Sequence, residues 1–92
     1  MPKTQITFWG VRGSLPAPGA DTAKYGGNTS CLEISNGKTL IICDGGTGIR
    51  PLGLDLIRRN KGNIKATILL SHPHLDHVVG LPFFEPFYKR NN

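Results

Sequence analysis

The chain has 92 residues and a formal net charge of +5, from 11 Lys and Arg against 6 Asp and Glu. Its hydrophobic fraction of 38% and charged fraction of 18% favour a folded core and exclude intrinsic disorder. No apolar run approaches the roughly 20 residues that a membrane-spanning helix needs, and the N-terminal residues lack the apolar stretch of a secretory signal. We therefore expect a cytoplasmic domain, or part of one, without membrane contact.

The first half of the chain predicts three strands. Residues 5–11 have a strand pattern, and the glycines and prolines that follow, up to Gly27, exclude regular structure. Asn36-Gly37 then lies between two apolar runs, at residues 31–35 and 38–44, and predicts a two-residue hairpin turn. The second run is apolar on both faces, which indicates that both sides of the sheet are covered.

The hairpin also predicts the state of the two cysteines. With Asn36-Gly37 as the turn, Cys31 lies opposite Ile42, so the thiols of Cys31 and Cys43 point to opposite faces of the sheet. A disulfide between them is geometrically out of reach. We expect two free, buried thiols.

A helix is predicted after the hairpin. Apolar residues recur at helical spacing from Ile49 to about Asn60, Pro51 is tolerated in the first turn, and Gly62 marks the end. The basic residues near the helix end either complement the helix dipole or form a phosphate-binding patch. They are Arg58, Arg59, Lys61 and Lys65.

The last part of the chain begins with an apolar strand pattern at residues 65–70, which runs directly into the sequence SHPHLDH. A short helix is expected from about residue 77 to residue 84, before Pro86 interrupts it. The histidines therefore lie in the loop that leaves the carboxyl end of a strand.

All three histidines of the chain, His72, His74 and His77, occur within this loop. On a helix the first two would diverge by roughly 200°, whereas on an extended backbone they project to the same side. Pro73 favours the extended form because it disfavours the helical region for the preceding residue. A turn after them then brings Asp76 and His77 round from a neighbouring direction.

These side chains divide naturally between two ions, with two imidazoles on one and a carboxylate and an imidazole on the other. Such ligands suit Zn²⁺ and also Mn, Fe or Co, and the cluster has no thiolate that would indicate a closed structural zinc site. The pattern predicts an open, catalytic metal site. The alternative is a polar turn whose histidines are close together without binding an ion.

Four sequence blocks carry a family resemblance: FWGVRGSLPAPG, YGGNTSC, DGGTGIRPLG and LSHPHLDHVVGLPFF. The H-x-H-x-D-H motif resembles that of the metallo-β-lactamase superfamily, which binds two metal ions at the edge of an αββα sandwich. Together the blocks resemble the phosphodiesterase-like branch, near ribonuclease Z and cyclic-nucleotide phosphodiesterases. The resemblance implies a hydrolase with two divalent ions, Zn or else Mn, Fe or Co, whose activated hydroxide attacks a phosphoester in a small molecule, a nucleotide or RNA.

The resemblance also implies roles for single residues. His72 and His74 would bind the first ion, Asp76 and His77 the second, and Asp76 would in addition handle a proton as a catalytic residue. Asp44, at the end of the run TLIICD, matches an aspartate that orients a metal-binding imidazole. Its alternative is an ordinary turn residue at the end of a strand.

Glycine-rich loops are predicted to flank this site. Arg12 and Asn28 lie in such loops and are candidate contacts for a phosphoryl oxygen, with plain solvent exposure as the alternative. The run GGTGIR offers either a phosphate cradle of backbone N–H groups or simply a tight turn.

A complete domain of this family has a second ββα half that supplies further ligands. The present chain has no histidine after His77, and Glu85 is its one later acid. We therefore expect residues 1–92 to be one partial α/β domain, the N-terminal half of the sandwich, with a mixed, mainly antiparallel sheet and one main helix. The missing C-terminal half, or a second copy in a homodimer, would cover the apolar strand at residues 39–44 and the aromatic residues Phe83, Phe84, Phe87 and Tyr88.

Two other functions stay open. The chain is alternatively a catalytically silent module that binds metal and docks another chain. The second alternative is a hydrolase of the same fold that acts on a thioester, a lactam or a lactone.

Overall fold

The architecture is a four-stranded sheet with one long helix, seen in a computed structural model that describes residues 3–37, 39–60 and 64–88. The strands are β1 (Gln5–Gly10), β2 (Cys31–Asn36), β3 (Thr39–Cys43) and β4 (Thr67–Leu69). The α-helices are α1 (Ile49–Asn60) and α2 (Leu75–Val78), and three short 3₁₀ turns lie at Ala20–Thr22, Leu81–Phe83 and Glu85–Tyr88.

The sheet has the strand order β1-β2-β3-β4. The first three strands pair antiparallel, and β4 pairs parallel to β3. Parallel pairing of consecutive strands needs a crossover connection, which α1 provides. The predicted mixed, mainly antiparallel α/β sheet with one main helix is confirmed.

The predicted hairpin register is wrong by two residues. Asn36 pairs with Thr39 and Cys43 pairs with Leu32, so Ile42 lies opposite Glu33 rather than Cys31. The Asn36 amide donates to the Thr4 hydroxyl at 2.8 Å, which keeps Asn36 within the strand, and Gly37 takes the positive φ of the turn at 58°.

A shift of two residues keeps every side chain on its predicted face. The expected free thiols are therefore confirmed. Cys31 is buried, as expected, but Cys43 is only half-buried, because it lies on the face of the sheet that α1 does not cover.

The core lies between α1 and one face of the sheet. The helix spans the predicted residues. Of the four positions that its spacing marked as apolar, Ile49, Leu52 and Leu56 are buried and Ile57 is half-buried. Among the described residues, the other buried apolar side chains are Cys31, Ile42, Ile64 and Phe84.

Phe84 corrects the prediction that the four terminal aromatic residues are open to water. It packs against α1 at Gly53, where an added Cβ would lie 2.8 Å from its ring. Phe83, Phe87 and Tyr88 are exposed, as expected.

We call the opposite side of the sheet the open face. By register it includes the polar residues Asn36, Thr39 and Thr67, and its apolar residues are Ile6, Phe8, Leu32, Ile34, Ile41, Cys43 and Leu69. Ile6, Phe8 and Leu69 are each more than half exposed. The expected cover on both sides of the sheet is therefore present on one side only within the part of the chain that is described.

Two basic residues at the end of α1 are neutralised by acids. Arg58 pairs with Asp55, and Arg59 pairs with both Asp55 and Glu33. These contacts favour a structural role for both arginines over a phosphate-binding patch. Lys61 and Gly62 lie outside the described residues.

Three smaller differences from the predicted elements affect the site. β4 has three residues where six were expected, and α2 begins at Leu75, before His77. Pro86, which was expected to interrupt the helix predicted up to residue 84, is buried inside the 3₁₀ turn Glu85–Tyr88. No helix within the described ranges is long and apolar enough to cross a membrane.

Candidate metal centre

The histidine loop leaves β4 in an extended conformation and then turns. His74 has an extended backbone, with φ −61° and ψ 145°, and α2 begins at the next residue. The His77 N–H donates to the His74 carbonyl at 2.9 Å, which closes the turn. This backbone path agrees with the extended-then-turn geometry predicted from Pro73.

The three imidazole rings lie against one another. The ring centroids of His72 and His74 are 4.5 Å apart, and those of His72 and His77 are 4.1 Å apart. The fold thus brings together in one cluster the side chains that the sequence singled out.

Asp44 connects this cluster to the end of β3. Its Oδ1 accepts the Ser71 backbone N–H at 2.7 Å, and its Oδ2 lies 3.0 Å from His77 Nδ1. The Ser71 hydroxyl is within 3.0 Å of both carboxylate oxygens. The Asp44 backbone has φ 69°, a left-handed conformation that aspartate tolerates better than most residues.

These contacts set the charge of Asp44. Burial alone would raise its pKa, but the Ser71 backbone N–H, the His77 ring and the Ser71 hydroxyl stabilise the anion and hold the pKa below its ordinary value. Asp44 is therefore an ionised carboxylate that can only accept hydrogen bonds at neutral pH.

Asp76 lies on the other side of His77. Its Oδ2 accepts the Ser14 backbone N–H at 3.0 Å and lies 3.5 Å from His77 Nε2. The Ser14 N–H is the main cause of a lowered pKa at Asp76, with a smaller contribution from His77. The glycine- and proline-rich loop after β1 therefore reaches the histidine cluster through Ser14.

The donor set fits a divalent transition metal in its chemistry, since three imidazoles and an ionised carboxylate are neighbours in one segment. In their present conformations, no three His, Cys, Asp or Glu side chains of the described ranges form a group that could hold a metal ion. The predicted assignment of His72, His74, Asp76 and His77 as metal ligands thus stays a prediction.

The Arg12 side chain contacts its own loop, and the Asn28 side chain contacts the turn after β3. The Arg12 guanidinium donates to the Leu15 carbonyl at 2.6 Å, and the Asn28 side-chain oxygen accepts the Thr47 hydroxyl at 3.1 Å. Neither of these contacts joins the two side chains to the histidines. Their predicted role as substrate contacts remains untested.

The run GGTG after β3 is a tight turn and not a phosphate cradle. The N–H groups of Gly45, Gly46 and Gly48 donate to the carbonyls of His77, Ser30 and Thr29, respectively. The Thr47 N–H donates to the Thr29 hydroxyl at 2.7 Å. All four amides are used inside the fold, so none is free to bind an anion.

Two glycines let this turn pack directly on the end of α2. A Cβ at Gly46 would overlap the Asp76 carbonyl, and a Cβ at Gly80 would overlap the Gly46 carbonyl. The Gly80 N–H donates to the Gly45 carbonyl at 2.8 Å. Backbone contact at this point fixes the histidine-bearing segment against the end of β3.

A family model described as the metallo-beta-lactamase superfamily matches residues 25–88, which is more than half of the chain. The chain belongs to the metallo-β-lactamase superfamily. Most members of this superfamily are metal-dependent hydrolases, and they typically bind divalent metals. Neither the curated proteins nor the solved structures contain a match.

Within this superfamily member, sequence reasoning missed two residues of the cluster, Ser71 and Ser14. Ser71 immediately precedes the first histidine of the motif, so its position in the sequence indicated that it would lie beside the cluster. Ser14 contributes its backbone N–H to an acid 62 positions away, and no side-chain pattern marks such a contact in advance.

Proposed function

We propose that this chain is a metal-dependent hydrolase of phosphodiesters, and that residues 1–92 form the N-terminal half of its domain. The observation that carries the proposal is the cluster of three imidazoles beside two ionised carboxylates, with one imidazole hydrogen-bonded to Asp44. Superfamily membership supports the general class, a metal-dependent hydrolase.

The phosphodiester assignment is supported by the four sequence blocks quoted above. The first block includes residues 8–19, and one of its members, Ser14, donates to Asp76 in the cluster. The block is thus in contact with the H-x-H-x-D-H segment, which is what we expect of a loop that helps to shape the site.

In this proposal the residues of the chain have distinct roles. His72 and His74 would hold one divalent ion, and Asp76 and His77 would hold a second. Bound ions of this type supply Lewis-acid stabilisation of phosphoryl charge and lower the pKa of water. Asp44 orients His77, and Asp76 carries a proton during turnover. Zinc is the proposed metal, with Mn, Fe or Co as alternatives.

The half-domain proposal is supported by the open face, whose apolar side chains need a covering layer. With two protein ligands for each ion, each site has fewer than the three usual for catalytic zinc. We therefore expect modest metal affinity and weak turnover in the 92-residue chain, well below that of a complete two-metal site.

The first experiment measures metal binding. Chain purified without chelator and reconstituted with zinc at neutral pH should retain metal in elemental analysis, and the double variant His72→Ala, His74→Ala should lose it. Asp21→Asn, at an exposed position in a 3₁₀ turn, is the matched control and should bind as the wild type does. Absence of metal in the wild type would overturn the proposal.

The second experiment measures the substrate class. The zinc-loaded chain is offered bis-p-nitrophenyl phosphate, a chromogenic lactam and a thioester, each with and without the two histidine substitutions. We expect weak hydrolysis of the phosphodiester that depends on the histidines. Preference for the lactam or thioester would contradict the phosphodiester assignment, and a metal-loaded chain inert toward all three would be a silent binding module.

A further inference from the structure

Ser71 lies at the centre of the histidine cluster, although it is not one of the predicted ligands. Its hydroxyl oxygen is 3.0 Å from Asp44 Oδ1, 2.9 Å from Asp44 Oδ2 and 3.0 Å from His72 Nδ1. A longer approach of 3.4 Å joins it to His77 Nδ1. One hydroxyl thus contacts a carboxylate and two imidazoles.

This network contains few protons, and their number determines which atom donates in each hydrogen bond. The ionised Asp44 carboxylate has no proton to donate. The hydrogen bond between Ser71 and Asp44 must therefore use the single proton of the Ser71 hydroxyl. Once that proton points to Asp44, the Ser71 oxygen has lone pairs left and faces His72 as an acceptor. The hydrogen bond between them then requires a proton on His72 Nδ1.

The same reasoning applies to His77. Its Nδ1 lies 3.0 Å from Asp44 Oδ2, an oxygen that can only accept. The hydrogen bond therefore requires a proton on His77 Nδ1. In the neutral form of each ring the proton on Nδ1 leaves Nε2 with its lone pair.

We infer that Ser71 is a positioning residue that extends the hydrogen bonding of Asp44 to His72, so that one carboxylate fixes both His72 and His77 as Nδ1–H tautomers. This inference rests on the proposed function, in which the Nε2 atoms of both rings are the nitrogens left to bind metal. Asp44 reaches His77 directly and reaches His72 through the Ser71 hydroxyl.

Ser71 is held firmly enough for this role. Its own backbone N–H donates to Asp44 Oδ1 at 2.7 Å, so its backbone and side chain contact the same carboxylate. The Asp44 N–H in turn donates to the Leu69 carbonyl at 2.7 Å, which ties the end of β3 to the strand that precedes Ser71. Both residues that make the hydroxyl–carboxylate contact are thus held by backbone hydrogen bonds.

The test is the tautomer of each histidine, measured by nitrogen NMR on the metal-free 92-residue chain at about pH 8, where ordinary imidazoles are neutral. Both His72 and His77 should be Nδ1–H tautomers in the wild type. A proton on Nε2 of His72 would overturn the inference, whatever the variants do.

Three variants then separate positioning from general structure. Ser71→Ala should release His72 from the Nδ1–H form and leave His77 unchanged, while Ser71→Thr keeps the hydroxyl and should keep both tautomers. Ser35→Ala removes a hydroxyl near the C-terminal end of β2. It is the control and should change the tautomer of neither histidine. An unchanged His72 tautomer in a folded Ser71→Ala chain would also contradict the inference.

Zinc affinity, measured by competition with a chromophoric chelator, gives the second readout. Loss of a group that orients a ligand commonly lowers metal affinity 10–100-fold, so we expect about that loss in Ser71→Ala and near wild-type affinity in Ser71→Thr. If the tautomers are as inferred but the wild type binds no zinc, the proposed function fails while the positioning role stands. If zinc binds equally well to wild type and Ser71→Ala, the role in metal binding is excluded.

Discussion

Arg59, in the last turn of α1, forms an ion pair with Glu33, a residue of β2 that is only 2% exposed. Arg59 Nη2 lies 2.9 Å from one carboxylate oxygen of Glu33, and the Trp9 indole N–H donates to the other at 2.9 Å. A buried charge is thus fully hydrogen-bonded at the boundary between the helix and the sheet. This pair ties the end of α1 to the core face of the sheet.

Arg59→Ala should destabilise the chain strongly, because it leaves the Glu33 carboxylate buried without its cation. Since the Arg59 side chain is 42% exposed and water partly replaces it, we expect a loss of about 1–3 kcal/mol. Arg58→Ala is the matched control, since the Arg58 side chain is 79% exposed and its pair with Asp55 is worth less than about 1 kcal/mol. Chemical denaturation of the two variants measures the difference, and equal effects would contradict a dominant role for the buried pair.

Asp44→Asn should lower the free energy of unfolding and make it depend less on pH in the acidic range. Asparagine tolerates the left-handed backbone but loses the charge that accepts from Ser71 and His77, at a cost of about 1–3 kcal/mol. The lowered pKa of Asp44 means that its contribution is complete above the ordinary value of 3.8 and is lost as the pH falls through the folded-state pKa.

Urea denaturation at a series of pH values checks this sign. The difference in unfolding free energy between wild type and Asp44→Asn should be constant near neutral pH and shrink below about pH 4. Asp21→Asn serves as the exposed control. A difference that grows toward acid would show that the Asp44 anion does not stabilise the fold.

Gly80→Ala should disturb the contact between the turn after β3 and the end of α2. The added methyl would overlap the Gly46 carbonyl, and backbone does not move aside as a flexible side chain does. We expect a loss of about 1–3 kcal/mol. Gly13→Ala, where no atom lies within 4 Å of the added Cβ, should change thermal stability little. Equal melting temperatures for both variants would mean that this contact is not tight.

In the 92-residue chain by itself, where no second half covers the open face, a second copy of the chain is its proposed occupant. Within the described strands this face carries no charged residue, and Phe8, on the edge strand β1, is 67% exposed. Stacking two such faces buries on the order of 1,000 Å², near the lower limit for a specific interface. Sedimentation of the 92-residue chain at micromolar concentration should therefore show a dimer.

Phe8→Lys should shift this equilibrium to monomer, because it places a charge within the apolar contact. Tyr25→Lys changes an exposed aromatic residue outside the sheet and should leave the dimer intact. A wild-type chain that stays monomeric and binds no apolar dye would mean that the open face needs no partner.

Features with a local periodic signal were predicted well from the sequence. The helix over residues 49–60 has its apolar side chains at helical spacing, and this spacing alone places Leu52 and Leu56 in the core. The histidine cluster was predictable because Pro73 controls the backbone beside it.

The errors arise where distant residues decide the outcome. Asn36 pairs with Thr39 in the hairpin, and its amide contacts Thr4, 32 positions earlier in the chain. The burial of Phe84 depends on the space that Gly53 leaves in α1. The contact of Ser14 with Asp76 likewise joins residues far apart in the chain. Such contacts leave no periodic trace in the sequence.

The short strand β4 has a consequence for the dynamics of the site. It has three residues, lies at the edge of the sheet and, among the described strands, pairs with β3 alone. Edge segments with few hydrogen bonds open locally at a lower free energy than central strands, so the amides of β4 should exchange hydrogen before those of β2. Since Ser71 and the histidines follow β4 directly, this local opening would release the whole cluster while the core around α1 stays folded.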